Sequence, residues 1–270
     1  SGVTQINILV GTIIASFQSG AVSYLYYAER VYQINLAIAG IAVGTVSLPV
    51  LSKAFKLKNF SKISKIQSSS IQLSLLLSIP ASVALIIASE EIVNGLFGYG
   101  SFTSNDVKTT SDALMLFGLG VVAFSLIKIL ANFFFARDNT KIPFYISSFI
   151  VLLNVLISVS FFSKIGFLII PIATSFSTWI GVLIFLFFLK KNNYLLLQKL
   201  LFQNTLKIII SSAIMAFALI FALEKYSTFL DYSYTYKSIY LIIIICFAGI
   251  VYLLSCYLFG LLKIKNYKTN

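Results

Sequence analysis

The 270-residue chain is 59% hydrophobic and only 10% charged, whereas soluble domains are about half apolar and a quarter charged. Its +12 net charge comes from lysines set between apolar runs, with no Arg-rich patch interleaved with aromatics, so it reads as membrane topology and no nucleic-acid partner is expected. Histidine is absent, which removes the usual neutral-pH acid–base residue and the commonest metal ligand.

Runs of about twenty apolar residues follow one another, which predicts an all-α, polytopic transmembrane helical bundle. Hydropathy gives about eight spans, at roughly 2–18, 20–52, 66–89, 113–135, 141–162, 166–189, 205–224 and 237–262. The chain opens on "SGVTQINILVGTIIASF", an apolar helix already under way with no signal-peptide pattern, and reads as a fragment.

The second span is too long to cross straight, because some thirty residues at 1.5 Å each exceed a bilayer core of about 30 Å. Gly40, Gly44 and Pro49 offer places to bend, and Pro80 and Pro171 are expected to interrupt the third and sixth spans. The longest polar stretch lies near 98–112. "GLFGYGSF" (95–102) follows an apolar helix, so it reads as a helix cap and turn rather than a phosphate loop. "NNYLLLQKLLFQ" (192–203) has the pattern of an amphipathic interfacial helix. Cys246 and Cys256 both fall in the last span and read as small hydrophobes.

Basic residues alternate sides. Lys53, Lys56, Lys58, Lys62 and Lys65 follow the second span, Arg137 and Lys141 the fourth, Lys190, Lys191, Lys199 and Lys207 the sixth, and Lys263, Lys265 and Lys268 the eighth. The opposite loops hold only Lys108, Lys164, Lys225 and Lys237. The positive-inside rule then puts both ends of the segment in the cytoplasm.

Within the spans lie two cations, Arg30 and Lys128, and one acid, Glu29. From the outer surface Arg30 is about ten residues in, or roughly 15 Å, where an arginine costs about 2.5–3.5 kcal/mol on insertion scales. Glu29 and Arg30 are sequence neighbours and point about 100° apart on a helix, so they do not neutralise each other. Glu29 shares a face with Gln33, and Tyr26 with Arg30. Arg30 thus retains a fork of donors that matches phosphate oxygens; a carboxylate from outside the segment is the alternative partner. Ser125, Lys128 and Asn132 share one helix face, which reads equally as a cavity wall or as a lysine snorkelling to the cytoplasm. Gln5, Thr12 and Ser16 with Asn7 in the first span, Ser147, Asn154 and Ser158 in the fifth, and Thr174 and Thr178 in the sixth read as interhelical packing. No paired carboxylates, Ser–His set or metal site is present, so neither enzymatic activity nor a cofactor is expected.

Four stretches, "GVTQINILV", "YYAERVYQINLAIAGIAVGTVSLPVLSK", "LFGYGSFTSNDV" and "FFARDNTKIPFYIS", resemble the MurJ/MviN family in order and spacing over essentially the whole chain. These are bacterial lipid II flippases of the multidrug/oligosaccharidyl-lipid/polysaccharide exporter superfamily. The resemblance implies fourteen helices in two lobes, of which this chain holds the last eight: a second lobe of six over 1–190, then an interfacial segment and two additional helices over 191–270. It implies that lipid II, the undecaprenyl-pyrophosphate-linked peptidoglycan precursor, moves from inner to outer leaflet of the cytoplasmic membrane by alternating access. Cavity cations would hold its pyrophosphate and sugars, and a groove involving the extra helices would take its lipid tail. The partners implied are lipid II and membrane lipids, with cell-wall synthesis proteins as candidate protein partners. Glu29–Arg30 match the family's acidic–Arg pair in "YYA[D/E]R", and the substrate-binding candidates are Arg30, Glu29, Gln33, Lys128 and Asn132. Gln33 stands where some relatives carry an acid. The carboxylates with which some members bind sodium are missing from the first and fifth spans, so no metal is expected. The alternatives are an exporter of another lipid-linked oligosaccharide or of drugs, and a non-transporting membrane scaffold.

Overall fold

The computed structural model describes residues 2–262, with side chains from Ile8 onward; the described residues form helices and no strand. Lys263, Lys265 and Lys268, and the side chains of Gln5 and Asn7, lie outside the described residues.

Helix α1 (Gly2–Ala15) ends at a tight turn through Gly20, whose φ of +76° is closed to most residues. Helix α2 (Ala21–Leu36) then runs through a π-helical turn (Ala37–Ala42) into α3 (Val43–Lys56), a single helical run of 36 residues. At about 54 Å it overshoots a bilayer core, as its sequence predicts. Of the three expected bend points, Gly40 lies in the π-helical turn, while Gly44 and Pro49 lie within α3. A Cβ on Gly40 would sit 3.3 Å from the Ser125 Cα, and one on Gly44 would sit 2.8 Å from the Asn132 amide nitrogen. Two glycines four residues apart therefore let this helix close on its neighbour, as small-xxx-small pairs do in membranes. Gly44→Val is expected to lower stability by about 1–3 kcal/mol through overpacking, read as a fall in melting temperature in detergent.

Helix α4 (Phe60–Ile87) starts on Asn59, whose side chain accepts from the Lys62 backbone N–H at 2.9 Å. The interruption expected at Pro80 does not occur, and α4 runs straight through it. Proline removes the donor that would have met the Leu76 carbonyl four residues earlier. Tyr252, from the last helix, donates to that carbonyl at 2.7 Å. Tyr252→Phe should therefore cost on the order of 1 kcal/mol, and Pro80→Ala should abolish most of that cost by restoring the backbone donor. A double-mutant cycle on thermal stability measures the coupling. Pro171 does not interrupt either; it sits in the first turn of its helix, where the N–H is unpaired anyway.

After α4 the chain turns at Ala88 into the short α5 (Ser89–Phe97), which ends at Gly98 as the cap-and-turn pattern predicts. The polar stretch that follows is largely helical. A capping box joins Thr103 and Asp106 and starts α6 (Ser104–Gly118), so the fourth span begins about nine residues before its expected start. It is also broken: α7 (Val121–Phe135) continues from α6 at 42°. Helices α8 (Lys141–Ile165) and α9 (Ile169–Lys191) are joined by a 3-10 turn, where Gly166 at φ +72° reverses the chain so that the two pack on each other. Helix α10 (Lys199–Lys225), the single turn α11 (Ser227–Leu230) and α12 (Lys237–Leu258) complete the chain.

Among the described residues, five helical runs are long and apolar enough to cross a membrane, six with the bent α6–α7 pair. The run over 141–191 folds back on itself and supplies two crossings, and α1, at 14 residues, is a shorter apolar helix packed on α8. Burial concentrates in two clusters. One gathers Leu25, Val93, Leu114, Phe117 and Leu241 towards the α5 end, the other Leu51, Ile63, Phe133, Phe134 and Phe185 towards the α3–α4 turn.

The interfacial helix expected over 192–203 is not formed. Residues 194–198 run as a non-helical strap and α10 begins only at Lys199. The fully buried Gln67 side chain donates to the Tyr194 carbonyl at 2.8 Å and accepts from the Leu196 N–H at 2.8 Å, as a neighbouring strand would. Ser68 accepts from the Gln198 N–H at 2.9 Å. Leu195 and Leu196, which looked like the apolar face of a helix, pack instead against the cluster at the α3–α4 turn.

Candidate functional site

Helix α2 separates the two members of its acid–base pair, as helical geometry requires. Arg30 is exposed, and its guanidinium carbon stands 4.7 Å from the centroid of the Tyr26 ring one turn earlier. Glu29 and Gln33 are half-buried on the face turned towards the bundle. The far side of that face is aromatic: Tyr27 packs on Phe97 and Phe102, and Tyr32 on Phe117 and Phe124. Arg30 therefore keeps its donors available on an open face at mid-helix. Asn35, further along the same stretch, has a buried side-chain nitrogen with no hydrogen-bond partner. Gln33 was marked by the face it shares with Glu29 and by the family motif; Asn35 carries neither mark, and its amide within an apolar run is the signal that could have found it.

The second group of candidates lies at a different level. Lys128 is half-buried, with its Cγ 3.5 Å from where a Gly40 Cβ would be, ten residues and about 15 Å along the helix from Arg30. Asn132 donates to the Gly44 carbonyl at 2.9 Å, so this amide pins α3 to α7. The shared face of Ser125, Lys128 and Asn132 is thus the surface that receives Gly40 and Gly44. The structure brings Glu29, Arg30 and Gln33 into one neighbourhood and Lys128 and Asn132 into another.

The stripes read as packing are only partly hydrogen-bonded between helices: Thr12, Ser16 and Thr178 donate to carbonyls of their own helices. Asn154 donates to Thr174 at 2.9 Å, and Ser158 donates to Asn154 at 3.1 Å, which closes α8 on α9. Among the described residues no group of three His, Cys, Asp or Glu is placed to hold a metal ion.

At the α3–α4 end, Arg137 lies between the rings of Phe55 and Tyr194, at 3.8 and 3.9 Å, and donates to the Phe133 and Tyr194 carbonyls. Burial pulls its pKa down to about 10, which still leaves it cationic at neutral pH. A loop-topology arginine thus ties α3, α7 and the strap together, a role that charge counting alone does not reveal.

The sequence profile of the family described as "Lipid II flippase MurJ" matches residues 1–242. This chain belongs to that family. It is 32% identical to the probable lipid II flippase MurJ of Rhizobium tropici over 271 residues, covering the whole chain and 51% of that protein. It is 34% identical to the Rickettsia prowazekii counterpart over 274 residues, covering 53% of it. A solved structure of the lipid II flippase MurJ in an inward closed conformation superposes with a TM-score of 0.79 at 30% identity, over 95% of this chain and 51% of that one. A superfamily transporter from Pyrococcus furiosus, at 15% identity and a TM-score of 0.63, shares the fold. The MurJ-family chain spans about half the length of the relatives it matches.

Proposed function

We propose that the protein to which this chain contributes about half moves lipid II, an undecaprenyl-pyrophosphate-linked disaccharide peptide, from the inner to the outer leaflet by alternating access. The observation that carries this reading is Arg30: an exposed arginine within an apolar helical run, with its guanidinium resting on the Tyr26 ring. A guanidinium fork in a low-dielectric setting matches a pyrophosphate. Glu29, Gln33 and Lys128 would line the path beside it, and Asn132 would act through the contact of α3 with α7 that it holds.

In this reading the protein is a transporter without catalysis, sits in the bacterial inner membrane, and has both ends of this segment in the cytoplasm, in keeping with the lysine bias. Residues 1–190 would form the second lobe. The strap and helices α10 and α12 over 191–270 would form an accessory unit beside it that meets membrane lipids, with cell-wall synthesis proteins as candidate protein partners.

The test is complementation of a flippase-depleted bacterium with the full-length gene. Restored growth and cell shape, with lipid II appearing at the outer leaflet, are expected. A protein that inserts normally yet restores neither would overturn the proposal.

A further inference from the structure

The break between α6 and α7 lies within a membrane-spanning run, where water is not available to satisfy freed backbone groups. In a continuous helix the carbonyls of Leu116, Gly118 and Leu119 would accept from the N–H groups of Gly120, Val122 and Ala123. Here Gly120 donates instead to Phe117 at 2.8 Å. Each of the three carbonyls is met by a side chain from another helix. Ser175 on α9 donates to Leu116 at 2.9 Å, Ser82 on α4 to Gly118 at 2.7 Å, and the Trp179 indole on α9 to Leu119 at 2.9 Å.

Two further observations make the break a movable part rather than a fixed kink. Leu119 (φ −61°, ψ −26°) and Gly120 (φ −91°, ψ −17°) both remain in the right-handed helical region, so straightening needs only modest rotations and crosses no forbidden region. The straight form would also keep the carbonyls satisfied, because the first N–H groups of α7 would replace the three side-chain donors. The two arrangements are thus matched in hydrogen bonds, and what selects between them is whether α9 and α4 stay against the break. Tyr32 rests on Phe117 and on Phe124, one ring on each side of it, at 4.8 and 5.2 Å. A change in the angle must move Tyr32, and with it α2, or part it from one of these rings.

We propose that Leu119–Gly120 is a two-state hinge, held bent by donors from Ser82, Ser175 and Trp179, and that withdrawal of α9 straightens α6–α7 into one span. The hinge is a property of this half of the fold and goes beyond the lipid II reading; its readout is a distance, so either can fail while the other stands.

The experiment uses the full-length protein in lipid nanodiscs, with spin labels on Lys108→Cys at the outer part of α6 and Lys164→Cys at the end of α8. The Ser175→Ala/Trp179→Phe double variant removes both α9 donors. The eleven-residue arm from Leu119 to Lys108 would then swing through the 42° bend, shifting the label distance by on the order of 10 Å. Gly120→Ala reaches the same state by another route. Its Cβ would fall 2.5 Å from the Phe124 Cζ and 2.6 Å from the Ser175 hydroxyl, so it displaces both that ring and the α9 donor from the break while favouring continuous helix. The same shift in either folded variant supports the hinge, and the alanine variant decides should the double variant fail to fold. An unchanged distance distribution in the folded protein overturns it.

Discussion

Arg30→Ala in the full-length protein is expected to abolish complementation while leaving membrane insertion and folding nearly intact. The two effects separate because of what Arg30 touches. Within the chain its guanidinium lies on the Tyr26 ring, a contact worth about 0.5–1 kcal/mol at an exposed site. A bidentate grip on a phosphate group replaces that with two charge-assisted hydrogen bonds, each worth about 1.5–3 kcal/mol. Their loss should weaken binding by on the order of 100-fold or more. Arg30→Lys keeps the charge but loses the planar fork, so it should fall between wild type and alanine. The measurements are growth rescue, immunoblot of the membrane fraction, and binding of a pyrophosphate-bearing lipid to the purified protein. Full rescue by the alanine variant removes Arg30 from the mechanism.

Gln67→Leu should be the most damaging single change to the architecture. Both ends of this amide are engaged with the strap, at the Tyr194 carbonyl and the Leu196 N–H, and the residue is fully buried. Leucine would fill nearly the same space while stranding one buried donor, at about 1–3 kcal/mol, and reducing Tyr194 to its longer contact with Arg137. A total of about 2–5 kcal/mol is expected. The damage should be local, because α10 and α12 reach the rest of the bundle through this strap and through the packing of α10 on α4 and of α12 on α5. Limited proteolysis and hydrogen exchange over 192–198 should report it: faster cleavage and exchange there, with α8 and α9 unchanged. Gln67→Glu, whose ionised carboxylate would face the Tyr194 carbonyl in a fully buried site, should be no better tolerated than leucine. Wild-type protection of the strap in the leucine variant would show that its packing, and not this amide, holds it.

Arg30 was legible because hydrocarbon makes a charge expensive, so a cation at mid-span stands out against its surroundings. Its separation from Glu29 and its pairing with Tyr26 followed from the 3.6-residue repeat, and the structure has both. Lys128 and Asn132 were legible as a shared helix face. What that face receives, Gly40 and Gly44 of the α2–α3 run, was not, since the contact joins residues 88 positions apart. Gln67 and Arg137 passed as an ordinary polar residue and a loop charge. Their importance depends on a strap that lies more than fifty residues away from either.

The sequence by itself determined that the chain is a membrane protein built of several apolar helices, and that Glu29 and Arg30 stand on different faces of one of them. Apolar length, loop lysines and helical periodicity are local quantities, and the bilayer enforces them segment by segment. Tertiary structure decided where helices continue, break or fail to form. Pro80 leaves α4 whole because Tyr252 supplies an external donor; α6 and α7 part because Ser82, Ser175 and Trp179 do; residues 194–198 stay unwound because Gln67 does. In each case a backbone group freed in an apolar setting must find a partner, and that partner comes from a distant part of the chain.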